Sequence, residues 1–318
     1  TDHDADCESK KGDRIQDNDK LTTQDYAVYA TNNWTISPNW QLSLGVRAER
    51  NDYTEQTFVH PRLALSWFAT DSLTIRAKSG TYSRFPDVET VLRKIGNPQL
   101  DSPKATHHAL RFEYQVDDLW KSSLDFYYKD LSDLPRSLDE DDENYHLHYS
   151  NDMSGSAHGV EWVVERELAD DWYGWASISW SKSDRTDEYT NTTTEYYLDT
   201  PLLANFIANY KWNEKWDFGA RLTIRSGQKY TPIVGLRDNE DHEGYYLPVY
   251  GELNSKTLPT YHRLDLEANY HTKLWGKEAK WTFALLNALN ANNYSGYYYA
   301  PDGTETKEVT VWCSNDYL

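Results

Sequence analysis

The densest group of possible metal ligands in this chain is DEDDENYHLH, residues 139–148. Asp139, Glu140, Asp141, Asp142 and Glu143 run in succession, and His146 and His148 follow two residues apart. In an extended segment that spacing puts both imidazoles on one face, where they could take a metal, a haem or an iron chelate. The plainer reading, a solvated acidic loop, is preferred. LRDNEDHEGYY (236–246) groups Asp238, Glu240, Asp241, His242 and Glu243 and is read in the same way. Arg84 and Arg93, near the Phe85-Pro86 step, could meet an anionic ligand or pair with Asp87 and Glu89. His107 and His108 open a segment in which neighbouring side chains point to opposite faces. Tyr297, Tyr298 and Tyr299 fit a water–apolar boundary better than a sugar platform.

Motifs for covalent or metal chemistry are missing. GSAHG (155–159) does not fit the Gly-x-Ser-x-Gly elbow of a hydrolase. No Gly-rich phosphate loop, CxxC pair or HExxH run occurs. The sequence therefore predicts no enzyme, no cofactor and no resident metal site. Cys7 and Cys313 lie at opposite ends and receive no role. With 51 acidic against 32 basic residues, the net charge of -19 disfavours nucleic acid, which asks for a basic stripe.

The elements that must position these residues are strands. In WQLSLGVRAER (40–50), Leu42, Leu44, Val46 and Ala48 alternate with Gln41, Ser43, Gly45, Arg47 and Glu49, a period of two. The same alternation returns in 62–69, 72–82, 110–116, 159–167, 206–212, 218–225 and 263–271. Only DVETVLRKIG (87–96) suggests a helical turn or two. The chain is all-β. A mean hydropathy of -0.84 would suggest disorder, but 25 Tyr, 13 Trp and 8 Phe are too many for a solvated coil.

Connection lengths sort the strands. Short turns at 37–40, 69–72, 116–120, 168–172, 212–216 and 273–278 alternate with longer links at 51–57, 84–104, 131–155, 186–200, 229–259 and 294–305. Outer-membrane barrels have this asymmetry, with short periplasmic turns and long extracellular loops. Segments such as 40–53 and 215–228 are long enough to cross a tilted path through a bilayer. In such a barrel Arg47, Glu49, Arg76, Lys78, Arg111, Glu113, Arg221, Arg263, Asp265 and Glu267 share the inner face. Trp34, Trp40, Trp120, Trp172, Trp212, Trp216 and Trp281 form a girdle at the short-turn rim.

With those elements in place, the sequence resembles the TonB-dependent receptors of Gram-negative outer membranes. SRFPDVETVLRKIGNPQLDSPKATHHALRFEY (83–114) is similar to a family signature: Phe85-Pro86, Gly96-Asn97, Leu100 and Pro103, with Asp101-Ser102 in place of the usual Lys-Pro. YSNDMSGSAHGVEWVVE (149–165), DTPLLANFIANY (199–210), RSGQKYTP (225–232), LPTYHRLDLEANY (258–270) and TFALLNALNANNYSGYYY (282–299) resemble five further elements in order. After VTVW (309–312) the terminal CSNDYL departs from the family's usual aromatic end.

The resemblance implies an antiparallel transmembrane β-barrel portion, about 13 of 22 strands. Residues 1–20 would be the remnant of an acidic extracellular loop. Residues 21–318 would be the C-terminal part of the barrel, its thirteenth strand beginning near Lys307. The implied function is uptake of a scarce solute, such as an iron–siderophore complex, across the outer membrane. Its implied partners are outer-membrane lipid, the solute, and TonB acting through an N-terminal plug outside these residues. A passive diffusion channel and a soluble glycan-binding β-protein are the alternatives. The ligand-binding candidates are Arg84, Arg93, His146, His148 and His242.

Overall fold

The structure, a computed structural model, describes residues 3–8, 14–19, 22–138, 142–239, 246–298 and 307–310. Twelve long strands form one antiparallel wall. They are β1 (Asp25–Ser37), β2 (Trp40–Asn51), β3 (Thr57–Phe68), β4 (Leu73–Ser83), β5 (Lys104–Gln115) and β6 (Trp120–Ser137). There follow β7 (Tyr149–Ala169), β8 (Trp172–Asp187), β9 (Leu202–Lys211), β10 (Trp216–Arg225), β11 (Tyr261–Leu274) and β12 (Lys277–Leu285). Each strand pairs with its sequence neighbours, so the six short-turn hairpins read from the sequence are all present. A short strand, Thr192–Glu195, adds to the far half of β8. The only α-helix among the described residues is one turn, α1 (Val88–Val91).

The short turns are built by their own side chains. Asp117 Oδ1 accepts the backbone N–H groups of Leu119 and Trp120, and Asn213 Oδ1 accepts those of Lys215 and Trp216. Asp170 and Asp171 both have positive φ, as do Trp275 and Gly276. That is the backbone a two-residue hairpin turn demands.

Register decides which residues share a face, because hydrogen-bonded cross-strand partners point the same way. One row runs Leu42, Leu65, Ala77, Leu110, Phe126, Val160, Trp180, Leu202 across eight strands. The row on the opposite face runs Gln41, Ser66, Arg76, Arg111, Asp125, Glu161, Ser179, Leu203, Arg225. Arg47 and Arg221 fall on this polar face by alternation, and Arg263 joins it through Thr223. All ten charges expected on one side are therefore there. Leu44, Val46, Leu63, Leu110, Phe126 and Phe206 lie exposed on the apolar face, a surface far too large and continuous for a water-soluble monomer.

The aromatic girdle gives the tilt. Trp40 stacks on Trp67 at 5.5 Å, Trp120 meets Trp172 at 5.7 Å, and Trp216 packs on Tyr270 at 4.8 Å, each beside a short turn. The hydrogen-bonded row that starts at Trp67 passes through Ile75, Phe112, Leu124, Trp162, Ile178, Ala204 and Ile224 to His262. On β11, however, the girdle residue is Tyr270, eight residues nearer the short turn than His262. Eight strand steps thus produce a stagger of eight residues. One residue per strand, about 3.3 Å along for about 4.8 Å across, corresponds to a tilt of about 35°, the range in which membrane barrels close.

Buried apolar side chains are few, because the wall turns its apolar set outward. Among the described residues they are Val91, Leu92, Leu100, Leu138, Ala204 and Leu258, with Pro86 fully covered as well. Most belong to the connections at the long-loop end. A strand does begin at Lys307, but it pairs with Tyr294–Tyr298 as a separate hairpin rather than joining the wall. Between β12 and Tyr294, positive φ at Asn287 and Asn290 breaks the ladder. His3–Glu8 and Arg14–Asp19 form another separate hairpin. The side chain of Cys7 and all of Cys313 lie outside what is described. No helix is long and apolar enough to cross a membrane, which says nothing about crossing by strands.

Candidate functional site

The polar face carries a network of paired charges. Arg47 Nε donates to Glu49 at 2.7 Å, and buried His60 sits between Glu49 (3.1 Å) and Ser83 (2.9 Å). Arg76 donates to Ser66 at 3.0 Å and Glu113 at 3.2 Å, and Arg111 Nε donates to Asp125 at 2.6 Å. Further round the wall, Arg263 Nε meets Asp265 at 2.7 Å, and Asn269 bridges Asp217 and Glu267. Pairing of this kind holds charges on a water-facing wall without self-repulsion.

Not every cation on this face is paired in this way. Arg62, Gly80, His107 and Lys129 are consecutive cross-strand partners, and Lys78 lies two residues along β4 from Gly80. Among the described residues, Arg62, Lys78 and Lys129 enter none of the face's ion pairs. Aromatic rings lie beside two of them: the Arg62 guanidinium is 4.7 Å from the Tyr82 ring centre and the Lys129 ammonium 5.4 Å from that of Tyr127. Tyr82 also packs on His107 at 4.6 Å. Two glycines make the room. A Cβ on Gly80 would meet Arg62 Cγ at 3.2 Å and Tyr82 Oη at 3.3 Å; one on Gly159 would meet Tyr127 Oη at 2.7 Å.

At the long-loop end, the 84–103 connection is packed and pinned. Tyr53 donates its hydroxyl to the Val91 carbonyl at 2.8 Å and meets Phe85 edge-on. Asn97 is buried: its amide donates to the Tyr149 carbonyl at 2.8 Å, and its Oδ1 accepts the Gln99 N–H. Asn151 bridges the carbonyls of Asp101 and Asp133, and Gln56 bonds Asp101 and Ser102. Gly96 is required because a Cβ there would lie 2.5 Å from the Thr90 carbonyl. At the long-loop end of β6, buried Arg136 ties Asp142 (2.9 Å) to Asp187 (2.7 Å) beneath the Tyr189 ring. Asp199 is buried in the 196–201 link and accepts the Ser183 N–H at 2.9 Å. Burial raises its pKa, the charges of Glu195 and Asp184 adding to this against the Ser183 N–H and Lys229. Asp52 is lowered, chiefly by the Gln24 N–H.

The residues singled out from the sequence are not drawn into one cluster. Arg84 is exposed and pairs with Asp87 at 2.9 Å, one of the two roles left open for it. Arg93 is exposed on the loop just after α1. His146 is exposed in a 3₁₀ turn, Tyr145–Leu147, and His148 follows with φ 62. The segment is therefore not extended, and a spacing of two does not align the imidazoles. His242 and Asp139, Glu140 and Asp141 lie outside the described residues. Among the described residues no group of three His, Cys, Asp or Glu side chains is placed to hold a metal ion. The sequence reading did not bring Arg62 and Lys129 together, since only register places them beside His107 and Lys78.

Comparison with known proteins gives the family. The profile described as TonB dependent receptor-like, beta-barrel matches residues 5–293. The chain belongs to the TonB-dependent receptor β-barrel family. Its wall superposes on the outer membrane transporter YddB from Escherichia coli with a TM-score of 0.66 at 14% identity, covering 95% of this chain and 46% of that one. The FrpB iron transporter from Neisseria meningitidis gives 0.63 at 15%, covering 91% and 43%. A ferric enterobactin receptor from Pseudomonas aeruginosa gives 0.65 at 15%, covering 86% and 40%. This TonB-dependent barrel thus spans less than half the length of these relatives, and at such identities the likeness is one of fold. No match was found among curated protein sequences.

Proposed function

We propose that this chain is the C-terminal barrel portion of an outer-membrane receptor that takes up a scarce solute, such as an iron–siderophore complex, with energy delivered by TonB through a plug outside these residues. The observation that carries the reading is the single two-faced wall: an apolar exposed side with an aromatic girdle that steps one residue per strand, and a charged, hydrogen-bonded side suited to a wet lumen. The iron and siderophore cargo named for several fold relatives supports the choice of solute. In this mechanism the wall and the pinned loops form a fixed funnel, and movement belongs to the plug. The barrel residues bind and orient; none performs bond chemistry.

The test is growth of the source bacterium on single ferric chelates, with and without the full gene. Loss of growth on one chelate, with the same loss on removing TonB, is expected. Uptake that persists without TonB would instead indicate a passive channel. Growth indifferent to the gene on every chelate would remove the iron reading.

A further inference from the structure

Five of the six short-turn hairpins end at the aromatic girdle. Trp40, Trp120, Trp172 and Trp216 each open the strand that follows their turn, and Trp67 lies one residue from the end of β3. The β11–β12 hairpin does not stop there. Beyond its girdle partners, Tyr270 and Trp281, the ladder pairs His271 with Lys280, Thr272 with Ala279, Lys273 with Glu278 and Leu274 with Lys277, and only then turns at Trp275-Gly276. Four more pairs at about 3.3 Å each, tilted by about 35°, carry the turn about 11 Å past the rim. The headgroup layer is about 5–8 Å deep, so the tip stands clear of the lipid.

The tip is apolar, and its residue is ill suited to its backbone. Trp275 is 98% exposed and Leu274 beside it 42%. Trp275 has φ 49 and Gly276 φ 78. These are the left-handed positions of a two-residue turn, where Asn-Gly or Asp-Gly is favoured and a bulky side chain is strained. The 170–171 turn has the same pair of positive φ values and fills it with two aspartates. Among the described residues, Trp275 packs on no other ring and its indole N–H makes no hydrogen bond. Strain kept at so exposed a position points to a use outside the fold.

Charge also separates this part of the rim from the rest. The first four short turns carry Asp71, Asp117, Asp118, Asp170 and Asp171 and no cation. The last two turns and the residues beside them carry Lys211, Lys215, Lys273, Lys277 and Lys280 against Glu214 and Glu278. These two turns adjoin, since the His271 N–H donates to the Lys215 carbonyl at 2.8 Å. Among the described residues none of the five lysines enters an ion pair. We infer that the β11–β12 tip is a docking knob for a periplasmic protein that presents an apolar pocket rimmed by carboxylates. Trp275 and Leu274 fill the pocket, as aromatic anchors do at the centre of protein interfaces, and the lysines steer and orient the acidic partner. A glycan would stack on one face of the indole and leave Leu274 and the lysines unused. The inference goes beyond the receptor reading and takes from it only the orientation, with the short turns toward the periplasm.

The experiment uses the full-length receptor in its own outer membrane. A photo-cross-linking amino acid replaces Leu274 or, as controls, Asp118 or Asp171, in growing cells. The expected result is one protein adduct from position 274 and none from the controls, with mass spectrometry placing the attachment among Asp and Glu residues of the partner. Trp275→Asn should cut the adduct by roughly tenfold or more while the receptor melts no lower than the parent, because asparagine suits the turn. Lys273→Glu combined with Lys277→Glu should cut it by about as much through like-charge repulsion. No adduct above the controls, or one indifferent to Trp275→Asn, overturns the inference. So does attachment to lipid, to peptidoglycan or to the receptor's own plug. A lower melting point for Trp275→Asn also overturns it, since Trp275 would then be a packing residue of the receptor. A receptor missing from the outer-membrane fraction would remove the orientation and the proposed function together, whereas the other failures touch the docking knob alone.

Discussion

Leu124→Arg and Ser123→Arg place the same guanidinium on neighbouring residues of β6 and on opposite faces of the wall. Leu124 stands between Phe112 and Trp162 in the apolar row; Ser123 stands between Glu113 and Val163 on the polar face. Leu124 is four residues from the girdle residue Trp120. At about 3.3 Å per residue and a tilt of about 35°, that places it about 11 Å above the rim. This is close to the middle of an apolar band about 25 Å tall. An arginine at that depth costs about 2–4 kcal/mol, or roughly 30- to 1000-fold in the folding equilibrium. Arginine at 123 gains Glu113 as a neighbour and should cost about 1 kcal/mol or less. Urea titration of the full receptor folded into lipid vesicles, followed by gel mobility, measures both. Equal costs, or a larger cost at 123, would refute the assignment of faces and with it the whole architecture.

Three other outcomes follow from particular contacts. Arg166 lies almost fully covered on the apolar face near the rim, 3.9 Å from the Trp172 ring centre, donating to the carbonyls of Glu167, Ala169 and Trp172; Arg166→Ala should cost about 2–4 kcal/mol. Arg166→Lys should recover less than half, since an ammonium cannot fork in one plane, and thermal melting in detergent measures both variants. Asp199 has a raised pKa, so its contribution favours the fold at acid pH and is lost as pH rises through the folded value. Asp199→Asn keeps an acceptor for the Ser183 N–H and should match or exceed the parent's melting point at pH 7, the gap closing toward pH 4. Asp199→Ala should lose about 1–3 kcal/mol. Gly227→Ala would set a Cβ 1.7 Å from the Leu258 carbonyl, whereas Gly235→Ala meets nothing nearer than Val249 at 3.9 Å; limited proteolysis should open the 228–258 connection in the first variant only.

The wall was legible because a two-residue period and paired turn lengths are properties of sequence. Arg47, Arg76, Arg221 and Arg263 could be put on one face with no coordinates, and register bears it out. The charge cluster was not legible. Arg62 and Lys129 are 67 positions apart, and only the pairing of four strands makes them neighbours through Gly80 and His107. Arg166 was missed for a different reason. Its parity with Trp162 and Val164 puts it on the apolar face, but its burden is relieved by carbonyls and rings from two flanking turns. His146 and His148 show the opposite failure: spacing was read as if the chain were extended, and a 3₁₀ turn there removes the premise.

An unpaired strand edge is the most severe constraint on this wall. β1 and β12 each have one edge without a partner among the described residues. On each, about half of the peptide groups face that edge, and in hydrocarbon every unsatisfied N–H or C=O costs several kcal/mol. Summed along β1, 13 residues long, the penalty exceeds the whole stability of an ordinary domain. The twelve strands therefore need further strands on both sides before they can stand in a bilayer. Residues 22–310 produced alone and refolded into vesicles should give no folded, protease-resistant band, and co-refolding with the remaining barrel strands of the receptor should restore one. A monomeric, protease-resistant barrel from the fragment alone would show that the free edges of β1 and β12 pair with each other, and the need for further strands would fall.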